Sequence, residues 1–447
     1  MLIHGADKNH CMTKHKKASL TTAEQTIFDL SERIVAAQKP IQILDAIKWL
    51  PEVKEEFFNK KCKVLPKIDQ DYYKNIPIHF DLDEKIDEFH KIEHDISREL
   101  GQFSGIGMIM LRTCREYRAA VNMLKARGTK EFYDFSVDLY GSSEEAFYPG
   151  GPVLGDLSDL LSDTLNSLND CVSLEIDKKK YTAAEATEIL NQRLANYFTH
   201  KDDQVAVIAS DTIVSDAAAG GNYIKMRQDA LFSEREIRLL EVHEGWVHVG
   251  TSMNGAMQPI CTFLGKGAPS CTITQEGLAV ITEIFTFSSY PARVQRITNR
   301  IHAISMAEKG ADFLEVFNYF VKEQGMEEEM AYYLVSRIFR GSTPKLGPFT
   351  KDLSYAKGFL LIYNYIRLAV HMGLSHYIPT LFVGKLRLED LQILNNLVAE
   401  GIVKPPRYVP PQFRDVSALS SWMCFSLFLN RVDLKKIAEN YKQILHH

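Results

Sequence analysis

Two histidines five residues apart constrain this chain more than any other feature. In the stretch Glu241-Val-His-Glu-Gly-Trp-Val-His248, residues His243, Glu244 and His248 spell His-Glu-x-x-x-His. Two imidazoles beside a carboxylate suit a catalytic zinc, with the histidines as ligands and the glutamate as base. The usual spacing, His-Glu-x-x-His, puts both rings on one face of an α-helix. Five residues turn an ideal helix by about 500° and leave the rings roughly 140° apart, too far for one metal. One extra residue in the turn, a π-bulge, closes that gap. A shared metal therefore predicts a widened turn at 245–247, where Gly245 resists least. Without the widening, the two histidines are ordinary core or surface residues.

A second stretch, Thr272-Ile-Thr-Gln-Glu-Gly-Leu-Ala-Val-Ile-Thr-Glu-Ile-Phe285, reads as a helix. Thr272 and Gln275 have the spacing of a capping box. Leu278, Val280, Ile281 and Ile284 form its buried stripe. Glu276, in the first turn of an otherwise apolar helix start, is costly when buried unless it is paired or binds a metal. Its plainer reading is a glutamate favoured by the helix dipole. Glu283 lies seven residues on, along the same face. It suits an acceptor for the ring N–H of a ligand histidine, or a surface position.

Composition narrows the classes. A chain of 447 residues suggests two or three domains, and 45% hydrophobic residues supply a substantial core. With 52 basic and 57 acidic residues, net −5, nothing marks a nucleic-acid footprint. Seven scattered cysteines without a CxxC pair read as reduced thiols in a cytoplasmic protein. Residues 1–17 contain no apolar signal segment, and the basic run 8–17 reads as a disordered end. The longest apolar run, 358–370, is interrupted by Asn364 and Arg367. It reads as a buried helix and not a membrane span, so neither nucleic acid nor membrane is an expected partner.

Along the chain, Thr22 with Gln25 and Ser233 with Glu236 read as capping boxes. Two helices are expected over 18–62, then helices over 82–101 and 103–125, the latter burying Met108, Met110 and Leu111. Pro149-Gly-Gly-Pro152 marks a break and a new register begins near Cys171. This divides the chain into a helical N-terminal region, 1–170, and a catalytic domain, 171–447. Gln204–Ser210 reads as a short buried strand, and Tyr223–Arg227 alternates at period 2. After Pro291 nearly everything is helical, apart from a Gly/Pro-rich loop over 339–351. The fold class is α+β, predominantly helical, with a small sheet. Strands, a histidine helix and then a glutamate helix match the layout of zincin-like, glutamate-liganded peptidases, by analogy of fold. In those enzymes a strand edge pairs with an extended substrate.

Three segments carry a family resemblance: His-Glu-Gly-Trp-Val-His-Val-Gly-Thr, Thr-Gln-Glu-Gly-Leu-Ala, and Phe-Arg-Gly-Ser-Thr with Gly-Pro-Phe-Thr-Lys-Asp. They closely resemble the bacterial QEGLA-motif proteins, named flavohaemoglobin expression-modulating proteins. That family includes the eukaryotic microtubule-associated tyrosine carboxypeptidase. The resemblance is strong from about 205 to 445 and weaker over the first 170 residues. It implies a zinc metallopeptidase binding one Zn2+ per chain, with His243, His248 and Glu276 as ligands and Glu244 as catalytic glutamate. It also implies a peptide or protein C-terminus as substrate, ending in an aromatic residue such as tyrosine. A tubulin substrate does not follow, because the chain looks like the bacterial branch.

A carboxypeptidase also needs a cation for the terminal carboxylate, and arginine does this best. Lys225 with Arg227 is one candidate pair, Arg340 another, and Lys351 a weaker third; the plainer reading of each is a surface ion pair. Tyr355 or Tyr363 would donate to an oxyanion, or simply pack in the core. Trp246 reads as packing. Two other classes compete. A regulatory protein with structural zinc would need a fourth ligand. A zinc aminopeptidase would need a carboxylate, such as Glu241 or Glu283, for the substrate ammonium.

Overall fold

The computed structural model describes residues 20–171, 178–211, 213, 215–345 and 347–445. The basic run 8–17 lies outside them. Helix makes up 65%, and among the described residues strands form a two-stranded and a three-stranded sheet, so the α+β, mostly helical expectation holds.

The first helix, Thr22–Gln38, is capped one residue earlier than expected. Thr21 and Glu24 make the reciprocal box, while the Gln25 amide donates to Asp29 at 2.7 Å. An ionised carboxylate accepts backbone N–H groups more strongly than an amide, which selects Glu24 over Gln25. The segment expected to hold two helices holds three, because Ile43–Ala46 and Pro51–Asn59 are separate. Helices Leu82–Glu99 and Gly105–Lys125 pack together. The second buries Met110 and Leu111 as expected, but Met108 is exposed, since it falls off the stripe of Ile106, Ile109 and Thr113.

One hydrophobic core joins the two ends of the chain. It takes in Ile34 and Met110 from the first third, Val247 and Leu278 from the motif helices, and Ile362 and Leu394 from the last third. A second, aromatic core sets Phe57 against Phe313, Phe317 and Tyr332.

The three-stranded sheet has Tyr223–Arg227 at its centre. Ala206–Ser210 runs parallel to it, and Ala217–Ala219 antiparallel on its other side. The centre strand buries Ile224 and Met226, as its period-2 pattern predicts. Ala206–Ser210 was expected to be buried, yet only Val207 is. It is an edge strand, tied to the helix Ala183–Tyr197 by the Asn191 amide, which bonds both the N–H and the C=O of Val207. Ala217–Ala219 gave no signal, because three alanines have no strand preference. It packs on the histidine helix.

The helix Cys271–Phe285 crosses Ser354–His371 at bare backbone, Gly277 against Gly358. A Cβ on Gly358 would overlap the Ile273 carbonyl, and one on Gly277 would overlap the Gly358 backbone. Gly358→Ala should therefore destabilise the fold by about 1–3 kcal/mol, as overpacking typically does. A denaturation midpoint equal to wild type would contradict this close crossing.

Candidate metal centre

Ser233 and Glu236 form the expected capping box at the start of the histidine helix. Regular α-helix over Glu234–Leu240 gives way to π-helix over Glu241–Val249, then resumes over Gly250–Ala256. The Gly250 N–H donates to the Gly245 carbonyl, an i→i+5 bond. The widening covers nine residues, more than the single turn the spacing demanded. Gly245 has a second role: a Cβ there would run into the Leu194 side chain, so glycine lets the neighbouring helix approach. The consequence is that the His243 and His248 rings lie 4.8 Å apart at 87°, with their Nε2 atoms 3.2 Å apart.

Glu276 comes to the same point. Its Oε2 is 3.3 Å from His243 Nε2 and 3.5 Å from His248 Nε2. The three ligand atoms all lie within 4.8 Å of one another. Glu276 stands in the second turn, beyond the first turn expected, because the helix opens at Cys271. Its N-cap is Ser270, and the Thr272–Gln275 box does not form. Gln275 Oε1 instead accepts from Thr251 Oγ1 and Lys385 Nζ, each at 2.7 Å. A buried amide with two donors on neighbouring elements has more to lose by turning back to cap its own helix.

The donor set fits a divalent cation. Glu276 Oε2 is buried and makes no hydrogen bond, although it faces two imidazole nitrogens. His243 Nδ1–H donates to Glu283 Oε1 at 2.6 Å, which turns the Nε2 lone pair towards the cluster. Glu283 is fully buried and clasped by Arg293 at 2.9 and 3.1 Å. So Glu283 takes the supporting role that its spacing allowed. Burial alone would lower the His243 pKa, but Glu276 and Glu283 outweigh it and lift it to about 10. Burial would raise that of Glu283, but Arg293 and His243 hold it at about 2. Glu276 lies well below the carboxylate range, burial being outweighed by His248 and His243. The charge these carboxylates require therefore falls in part on the His243 ring, buried between Glu276 and Glu283.

Glu244 sits beside the cluster, its Oε1 3.9 Å from His243 Nε2. Its Oε2 accepts from the Ala219 N–H at 3.1 Å, so the strand Ala217–Ala219 moors it. Trp246 stacks on Tyr197 at 5.4 Å, as packing. Tyr363 bonds Ser426 at 2.6 Å, a packing role as well.

A cationic wall adjoins this cluster, and sequence reasoning named Arg340 and Lys351 of it but missed Arg300 and Arg337. Arg337 holds Asp352 through two bonds, 2.6 and 2.9 Å, and Arg300 lies 3.7 Å from the same carboxylate. Arg340 feels the same carboxylate, so three arginines share one anion, while Lys351 feels Glu276 ahead of Asp352. Burial pushes Arg340 down to about 10, with Arg337 adding to the effect, and lowers Lys351 as well. Arg340 Nε and Arg300 Nη1 have no hydrogen-bond partner among the described residues. Tyr355 joins the wall to the ligands: its ring stacks on His243 at 6.3 Å and lies under Arg300 at 4.7 Å and Arg293 at 5.4 Å. Lys385 was also missed. Its Nζ donates to the His248 carbonyl at 2.9 Å, and burial pushes its pKa down to about 8.

Of the residues named from sequence, His243, Glu244, His248, Glu276, Arg340 and Tyr355 thus belong to one region. Arg227 is engaged with Asp216 and Asp229, both at 3.2 Å. Lys225 sits mid-strand, in register with Ile208 and Ala218. Arg300 and Arg337 lie on helices where a lone arginine looks like a surface residue, and only the tertiary fold brings them together.

A family model described as microtubule-associated tyrosine carboxypeptidase matches residues 55–431. The chain belongs to that family. The match begins far upstream of residue 205 and takes in most of the N-terminal helices. No curated protein matches the chain.

The buried Glu283 pair sets an acid limit for the metal-free protein. A carboxylate depressed from 4.5 to about 2 stabilises the fold above pH 4.5 and loses that contribution as pH falls towards 2. This group alone should account for about 3 kcal/mol over that window. Unfolding followed against pH should show a shallower acid limb in Glu283→Gln. An unchanged limb would contradict the assigned pairing.

Proposed function

We propose that this chain is a zinc-dependent carboxypeptidase with a zincin-like catalytic domain over 171–447, releasing a C-terminal residue from a peptide or protein. The observation that carries the reading is the cationic wall beside the metal-type cluster. A buried excess of positive charge needs an anion, and a terminal carboxylate is the anion such a peptidase must hold. An aminopeptidase needs a carboxylate for the substrate ammonium, but Glu283 is committed to His243 and Arg293, and Glu241 to Arg193 at 3.5 Å. A closed structural zinc site needs a fourth ligand, and three converge among the described residues.

His243, His248 and Glu276 would hold one Zn2+ per chain. When bound, the metal supplies Lewis-acid polarisation of the scissile carbonyl and a water acidified to near neutrality. Glu244 takes the proton of the attacking water and returns it to the leaving amine. Its bond from Ala219 keeps the carboxylate facing the cluster. The free side of the strand Ala217–Ala219 is suited to pairing with an extended peptide, which would lead its end towards the arginines. Arg340, whose Nε has no hydrogen-bond partner among the described residues, would anchor the carboxylate. Tyr355, whose ring lies between His243 and Arg300, would donate to the oxyanion. Lys225 and Arg227, on the neighbouring strand, remain candidates for more distant substrate contacts. The family name suggests tyrosine as the released residue. The five described cysteines are unpaired, which supports a reducing, cytoplasmic compartment.

Three measurements test this. Zinc-loaded Glu244→Gln should keep its metal and lose at least 10²–10⁴-fold in turnover, and near-normal hydrolysis would remove Glu244 from the mechanism. Mass spectrometry of a peptide ending in tyrosine and of its C-terminal amide should show loss of tyrosine from the free acid alone. On the free acid, Arg340→Ala should lower kcat/KM by about one to two orders of magnitude. Equal cleavage of acid and amide would exclude a carboxylate anchor.

A further inference from the structure

The penultimate helix, Val416–Leu429, carries no charged residue in its 14 positions. Leu419, Met423 and Ser426 face inwards, against the helix Ser354–His371. The opposite side is also apolar. Trp422 is 56% exposed and Phe425 74%, and with Ala418 and Leu429 they recur at i, i+4, i+7 and i+11 as one stripe. An uncharged helix with so apolar a stripe is normally covered along it, and among the described residues nothing covers this one. The last helix, Leu434–Leu445, repeats the pattern. Leu434, Ile437, Tyr441 and Ile444 have heptad spacing, and Leu434 is 77% exposed.

We propose that these two stripes are the interface with a second copy of this chain, packed isologously, helix on helix. Covered aromatic side chains bury about 150–250 Å² each. Trp422, Phe425 and Phe428 with the exposed leucines therefore offer several hundred Å², the scale of the roughly 800 Å² per partner in a stable interface. Charge separates a second copy from other occupants. Lys435, Lys436 and Lys442 sit roughly 100–140° around the helix from the apolar seam. The seam itself is uncharged, so an acidic protein or anionic lipid finds no countercharge there, and a chain of net −5 is repelled by an anionic surface. An uncharged, self-complementary face is the composition of homodimer interfaces.

Sedimentation equilibrium of the full chain, alone and with phosphatidylserine vesicles, tests this. The wild type should be a dimer at micromolar concentration and leave the vesicles unbound. Phe425→Glu and Leu434→Glu should each weaken the dimer by at least about thirtyfold, as loss of a central apolar anchor does. Because both side chains are exposed, circular dichroism should stay native; Trp422→Glu serves as a further variant should either misfold. A monomeric wild type, a dimer that none of the folded variants weakens, or vesicle binding by monomeric protein would overturn the proposal.

Discussion

Widening the helix over 241–249 brings Nε2 atoms of residues five apart to 3.2 Å, and the surrounding elements hold that turn open. Lys385 bonds the His248 carbonyl, which also accepts from the Thr251 and Ser252 hydroxyls. Gly245 admits the helix Ala183–Tyr197 to close range. Thr251 and Lys385 reach across to Gln275 and fix the glutamate helix beside the histidine helix. Glu276 is the next residue after Gln275, so the same bonds set the third ligand. The bare-backbone contact of Gly277 with Gly358 then locks that helix to the one bearing Tyr355.

Electrostatics divides the region into two zones of opposite need. Around His243, the carboxylates of Glu244, Glu276 and Glu283 outnumber the one arginine that pairs with them, so the cluster calls for a cation. Around Asp352, three arginines share one carboxylate, so that zone calls for an anion. Tyr355 stands between the two zones. On the proposed reading, a cation site next to an anion site is the arrangement that hydrolysis at a chain's acidic end requires, and it would account for so much charge near two hydrophobic cores.

Much of this was legible in the sequence where a single residue type answers a single geometric demand. The five-residue histidine spacing required a π-type turn, and the turn is there. The alternation in Tyr223–Arg227 and the long apolar stripes after Pro291 marked their elements to within a few residues. Sequence reasoning failed where two local solutions competed. Thr272 with Gln275 had cap spacing, but Gln275 had better partners on other elements. Thr22 with Gln25 lost to Thr21 with Glu24 by one residue. Ala217–Ala219 has no strand preference and exists because a neighbouring strand and the histidine helix provide its setting. The cationic wall joins Arg300 and Arg337, from two helices, to Arg340 and Lys351 of the stretch 339–351, and no local pattern announces such a convergence.

The account rests on the widened turn making one metal site from His243, His248 and Glu276. Elemental analysis of the full chain after zinc loading and dialysis tests that most directly. It predicts one zinc per chain in the wild type and loss of that zinc in His248→Ala, with the fold retained. A wild type that holds no zinc, or a His248→Ala variant that keeps a full equivalent, would contradict it.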